Sequence, residues 1–186
     1  MGLIVIFAFI ILVSSVVIRA KILKRQGIKA ILFGSMDHKD FLIPPFVLFY
    51  FYGVIAFTFG FPMVGNQLWD VTIISYIGLL LVLLAPMLFI WGLISFGASF
   101  RVGVDDKHAG ELVTSGAFAI SRNPLYVAFF MMLCGVFMVF PTWIFFVYML
   151  AGFWLIDRQV CREENVLREL YGKEYETYCV RVRRYL

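Results

Sequence analysis

Apolar residues fall in long runs at about 2–18, 41–63, 72–96, 125–140 and 142–156, and polar residues gather between and after them. A membrane crossing takes roughly 20 apolar residues. The first three runs reach that length. The last two are short and are parted by Pro141 and Thr142. Joined in one helix, residues 125–156 would rise about 48 Å at 1.5 Å per residue, too long for a ~30 Å hydrocarbon core. The pattern therefore predicts a helical hairpin over 124–156. Pro86 inside the third run predicts a kink, tolerated where neighbouring helices satisfy the freed carbonyl. The tail from 157 reads as a helix to about Tyr171, capped by Gly172, followed by a second short helix. Val166, Leu167, Leu170 and Tyr171 give the first an apolar stripe, and Tyr175, Tyr178 and Val182 continue one on the second.

Charge orders these elements. All 16 Lys and Arg residues fall in segments 19–40, 97–124 and 157–186, and the stretch MVGNQLWD at 63–70 has none. Positive-inside bias then selects five transmembrane helices with the N-terminus out and the C-terminus in. Trp69 is expected at the outer interface, in an aromatic belt. The first run has no basic residue before it and Arg19, Lys21, Lys24 and Arg25 after it, the reverse of a signal peptide, so it reads as a retained span. The expected fold class is thus an all-α polytopic membrane protein. It forms a single membrane domain over 1–186. Three N-terminal spans occupy 1–96, and a catalytic core occupies 97–186. Within that core, the 97–124 loop and the 157–186 tail form a cytosolic cap.

Composition agrees. The chain is 62% hydrophobic and 15% charged, with a mean hydropathy of +0.92, and a soluble chain of this length could not bury so much apolar surface. The net charge of +4 comes from bases flanking apolar runs, which suits membrane topology and not nucleic acid. The cysteines, Cys134, Cys161 and Cys179, suggest neither a metal cluster nor a disulfide framework.

Candidate chemistry sits in the stretch GELVTSGAFAISRNPLY at 110–126 and in the tail. Asn123-Pro124 reads as a helix start, with Asn at the N-cap and Pro at the first helical position. Free amides and the positive dipole end at such a start suit a carboxylate. Gly116 permits close backbone approach or positive φ. Glu163-Glu164 could meet a cation; the plainer reading is an exposed pair offset by Arg162 and Arg168. His108, with Asp105 and Asp106, and His38 in the other inner loop give at most a weak metal signal, and no metal is expected. Arg101, Arg122, Arg158 and Arg162 could hold an anionic group, or only meet lipid phosphate.

The run Leu112-Val113-Thr114-Ser115-Gly116, then Phe118, then Arg122-Asn123-Pro124-Leu125-Tyr126 resembles the integral-membrane isoprenylcysteine carboxyl methyltransferase family, which is also similar to phospholipid methyltransferases. Glu163, Glu164, Leu167, Gly172, Tyr175, Tyr178 and Val182 follow the family's second motif in the expected order, so the resemblance covers about 99–183. It implies S-adenosylmethionine as methyl donor, with S-adenosylhomocysteine as product, bound without a dinucleotide fold. Carried over, the cofactor-binding residues are Glu111, Leu112, Val113, Gly116, Phe118, Asn123, Pro124, Leu125, Tyr126 and Glu163, with His108 nearby. The candidate catalytic residues are Arg158, Glu164 and Asn123. Three positions depart from the family: Gly110 where His is frequent, Ala117 where Pro is frequent, and Gln159 where a substrate-holding Arg is expected.

The resemblance implies methyl transfer at the cytosolic membrane face to a lipophilic acceptor, first the carboxylate of a prenylated cysteine. Such a carboxylate, with a pKa of about 3.5, is already ionised near neutral pH and needs no base. Arg158, or Arg162, would orient it. The alternative acceptor is an aminophospholipid, whose ammonium must lose a proton to a base such as Glu164 or His108. A non-enzymatic membrane protein, or a relative of the sterol reductases, stands further off. The partners are a lipophilic or prenylated substrate and membrane lipid, with no nucleic acid. The membrane would be the endoplasmic reticulum in a eukaryote and the cell membrane in a prokaryote.

Overall fold

A computed structural model describes residues 1–25, 43–62, 65–97 and 111–186. Among them are six α-helices: α1 (Gly2–Arg25), α2 (Ile43–Phe59), α3 (Thr72–Phe96), α4 (Pro124–Val139), α5 (Trp143–Tyr171) and α6 (Lys173–Arg181). A 3-10 turn at Gly116–Ala119 precedes α4. Apart from one isolated bridge between Gln67 and Thr142, the described residues form no β-structure.

Three helices, α1, α3 and α5, are long and apolar enough to cross a membrane, while α2 and α4 are shorter apolar helices. The 41–63 run thus yields less helix than its hydropathy predicts. Gly60 takes φ +70° and the Phe61 amide reaches back to the Ala56 carbonyl at 2.9 Å. That six-to-one bond closes the helix at Phe59.

Side-chain pairs fix the helix directions. Gly2 lies against Thr58 and Phe9 stacks on Phe51 at 4.8 Å, so α1 and α2 run antiparallel. The Arg19 guanidinium donates to the Gly97 carbonyl, which joins the C-terminal ends of α1 and α3. Helices α3 and α4 pack backbone to backbone in opposite directions. A Cβ at Gly78 would stand 2.7 Å from the Gly135 carbonyl, and one at Gly135 would stand 2.7 Å from that of Gly78. Near the other end of α3, Gly92 makes room for Leu125 and Pro124. Gly78, Ala85 and Gly92, all buried, recur every seven residues, which keeps small residues on one seam. Pro86 lies inside α3, also buried. These contacts locate the start of α4 beside the end of α3.

Helices α4 and α5 are joined by a short turn at Pro141. Helix α4 stops at Val139 and α5 starts at Trp143. The Thr142 amide donates to the Phe140 carbonyl across Pro141 at 2.8 Å, and the Leu68 amide holds the Pro141 carbonyl at 2.6 Å. Trp69 turns onto Phe137, edge to face at 5.2 Å, so its ring packs on the hairpin. Helix α5 passes residue 157 without a break. Its 29 residues, about 43 Å at 1.5 Å each, thus join the fifth apolar run and the first tail helix in one rod. Gly172, at φ +49°, ends it and starts α6.

Candidate functional site

The start of α4, the polar half of α5, α6 and residues 182–186 meet at one end of the bundle. Gly116 opens the 3-10 turn at φ +63°, and a Cβ there would collide with the Ser95 side chain. Both reasons expected for a glycine therefore hold at this position. The Ala117 amide donates to Ser95 Oγ at 3.0 Å, tying the turn to α3. Phe118 is buried, edge to face with Phe96 at 4.7 Å, and its carbonyl accepts the Tyr178 hydroxyl at 2.7 Å.

Asn123 and Pro124 occupy the N-cap and first position of α4, but the Asn123 side chain does not cap the helix. Its amide donates instead to Glu164 Oε1 at 3.2 Å and to the Arg184 carbonyl at 3.1 Å. The first amides of α4, which have no intrahelical acceptor, are left without that cap.

Glu164 is the most enclosed charge among the described residues, 2% exposed. Its partners are not Arg162 and Arg168. Arg122 places Nε at 3.1 Å and Nη2 at 3.0 Å from Oε1. Arg184 places Nε at 3.0 Å and Nη2 at 2.9 Å from Oε2. Both oxygens are thus engaged by guanidinium groups, a charge-assisted arrangement that offsets the cost of burying the carboxylate. Arg122 also donates from Nη1 to the carbonyls of Cys179 and Val182, at 3.2 and 3.1 Å, which places its charge at the negative end of α6. The Glu164 hydrogen bond holds the Arg184 pKa above its usual value. Burial pushes the Tyr178 hydroxyl up to about 12, against the pull of Arg122. Burial and then Glu164 push Tyr175 upward too.

Glu163 points to a different set. The Tyr126 hydroxyl donates to its Oε1 at 2.7 Å, and Gln159 Nε2 donates to the same oxygen at 3.0 Å. A carboxylate only accepts, so the amide nitrogen of Gln159 must face it. The other end of that amide, Oε1, is buried with no hydrogen-bond partner. A carboxylate beside an unsatisfied acceptor suits a group that brings positive charge or N–H donors.

The remaining candidates are placed as follows. Glu111 is exposed, and Leu112 and Val113 are half-buried on the way into the turn. Leu125 packs over Gly92. Arg158 and Arg162 are half-buried on α5. His108, His38, Arg101, Asp105, Asp106 and Gly110 lie outside the described residues. Among the described residues, no group of three or more His, Cys, Asp or Glu could hold a metal. The three cysteines are free. Arg184, Ser95 and Ser121 enter the network with no local sequence signal. Gln159 showed itself only as a departure from a motif.

A phospholipid methyltransferase profile matches residues 73–174, more than half of the chain and nearly all of α3 to α5. The chain belongs to this family. It is also 27% identical over 114 residues to two proteins named probable protein-S-isoprenylcysteine O-methyltransferase, from Oryza sativa subsp. indica and subsp. japonica. That alignment covers 59% of this chain, which spans 59% of the length of each relative. The chain is therefore a member of a methyltransferase family whose described residues are helical, with long apolar helices of membrane-spanning character.

Proposed function

We propose that this protein is an S-adenosylmethionine-dependent methyltransferase that acts at the cytosolic membrane face on a lipophilic acceptor. In this reading α1 to α5 all cross the bilayer, N-terminus out and C-terminus in, and residues 97–186 form the catalytic core. The basic segments and the alternating helix directions support that topology.

The observation that carries the reading is the Glu163, Tyr126 and Gln159 cluster next to an α4 start whose cap residue is turned away. A zwitterionic amino-acid group fits both halves. Glu163 and the Gln159 carbonyl would hold its ammonium. The first amides of α4 would hold its carboxylate. Glu111 to Val113, Gly116 and the start of α4 would line the rest. S-adenosylmethionine, when bound, supplies a methyl group carried on positively charged sulfur. The chain's own part is to bind, orient and exclude water, which needs no protein nucleophile.

The first acceptor is the carboxylate of a prenylated cysteine, supported by the names of the two rice relatives. Arg158 would orient it by charge-assisted hydrogen bonds. A second reading, an aminophospholipid, is favoured by one observation. Gln159, which stands where the family resemblance expects a carboxylate-holding Arg, offers an acceptor oxygen instead of a donor. In either case Glu164 serves to hold Arg122 and Asn123, because both its oxygens are engaged. Methyl transfer by the detergent-purified protein is to be followed with a prenylated cysteine acid and with an aminophospholipid. Incorporation into the first, with a flat profile from pH 6 to 8, supports the carboxylate. Incorporation only into the second, rising with alkalinity, replaces it. None into any lipid sinks both.

A further inference from the structure

Residues 182–186 cross back over the start of α4. The Arg183 carbonyl accepts the Arg122 amide at 3.0 Å. The Arg184 carbonyl accepts Ser121 Oγ at 3.3 Å and Asn123 Nδ2 at 3.1 Å. The Arg184 side chain takes one whole edge of Glu164 and sets Nη1 3.8 Å from Cys161 Sγ. Tyr185 donates to Asp157 Oδ1 at 2.7 Å and lays its ring edge to face on Phe130 at 5.1 Å. Asp157, Cys161 and Glu164 recur at helical spacing, so one face of α5 is turned to this strap. Gln159 and Glu163, one turn apart, form the face that meets Tyr126.

We propose that the strap at 182–186 is a positioning device for the methyl-donor site, and that Arg184 is its positioning residue. Arg184 meets Glu164 and Cys161 with its side chain, and its carbonyl accepts from Asn123 at the start of α4. It holds Glu164, which holds Arg122 and Asn123, which set where α4 begins. Tyr126 lies one turn further along α4, and its hydroxyl meets Glu163 next to Glu164 on α5. The strap thereby locks the two helices in the register that brings Tyr126 to Glu163. This is also a physical reason for two arginines on one buried carboxylate: each comes from a different segment, and Glu164 joins both to α5. The proposal rests on the donor-site reading above, and its test separates the two.

The variants are Arg184→Ala, Arg184→Lys and Tyr185→Phe, in the full chain in detergent. Hydrogen exchange without ligand reads the strap by itself. Titration with S-adenosylhomocysteine reads the donor site. Arg184→Ala is expected to raise exchange about tenfold at amides 120–127 while leaving α1 and α3 unchanged, and to weaken product binding about tenfold, the scale of a lost charge-assisted hydrogen bond. Arg184→Lys should fall between that variant and the parent, and Tyr185→Phe should show the smallest change. Millimolar guanidinium should restore part of the binding lost in Arg184→Ala and leave the parent unaffected. Unchanged exchange and affinity in Arg184→Ala overturns the proposal. So does faster exchange in every helix, which would make Arg184 a general stabiliser. If the parent binds no S-adenosylhomocysteine but exchange responds locally, the strap stands and the donor reading falls.

Discussion

Glu163 and Glu164 are neighbours on one helix, yet their surroundings differ. Glu164 is buried with each oxygen taken by an arginine. Glu163 is half-buried, and its Oε1 is approached by a neutral hydroxyl and a neutral amide. Full ion pairing leaves a carboxylate nothing to offer a ligand. The Gln159 carboxamide oxygen stands beside Glu163, buried and without a hydrogen-bond partner. One hundred degrees of helical rotation therefore separates a carboxylate held by two arginines from one that accepts from Tyr126 and Gln159. The fold achieves this by placing the strap on one side of α5 and Tyr126 on the other.

The largest expected effect is on the buried member. Glu164→Ala strands Arg122 and Arg184 together and should cost about 3–5 kcal/mol in denaturant unfolding, the range for breaking a buried ion pair. Glu163→Ala should cost less, about 1.5–3 kcal/mol, the scale of a lost hydrogen bond to a charged group such as those from Tyr126 and Gln159. Equal losses would erase the distinction. Next in size is Gly135→Leu, which pushes α4 off α3 where the backbones touch and should cost about 1–3 kcal/mol or more by overpacking. Because α4 carries both Asn123 and Tyr126, the defect should disturb both glutamates alike, readable as faster exchange at both. Gly116→Ala follows, at about 1–2 kcal/mol, because φ +63° is strained for any Cβ and Ser95 fills the space.

The smallest effect at neutral pH is a titration. The folded pKa of Tyr178, pushed to about 12, exceeds the unfolded value of about 10, so the folded state holds this proton more tightly. Its contribution to stability is complete below about pH 10 and is lost as pH rises towards 12. Ultraviolet titration of tyrosinate should show a late-ionising class that includes Tyr175 and loses one member in Tyr178→Phe. Ionisation of every tyrosine near pH 10 would contradict the buried Tyr178–Phe118 bond.

Local chemistry was legible in the residues. Asn123-Pro124 announces the start of α4 because proline is favoured at the first helical position. Gly116 and Gly172 mark positive φ. Tyr175 and Tyr178 fall on one face of α6 and are both buried. The helix end at Tyr171 and its Gly172 cap are legible as well. The 41–63 apolar run extends past the Gly60 stop, because hydropathy reports surroundings and not backbone. Glu164's partners were not legible. Arg122 and Arg184 lie 42 and 20 positions from it, while Arg162 and Arg168 offered nearer partners. Only the folded strap shows which arginines arrive.

The most direct test is calorimetric titration of S-adenosylhomocysteine into the purified parent, Glu163→Ala and Glu163→Gln, with folding checked by thermal unfolding. Binding by the parent, loss in Glu163→Ala without loss of fold, and weakening in Glu163→Gln is the predicted result. Undiminished affinity in a folded Glu163→Ala protein would contradict the assignment of Glu163 to the ligand.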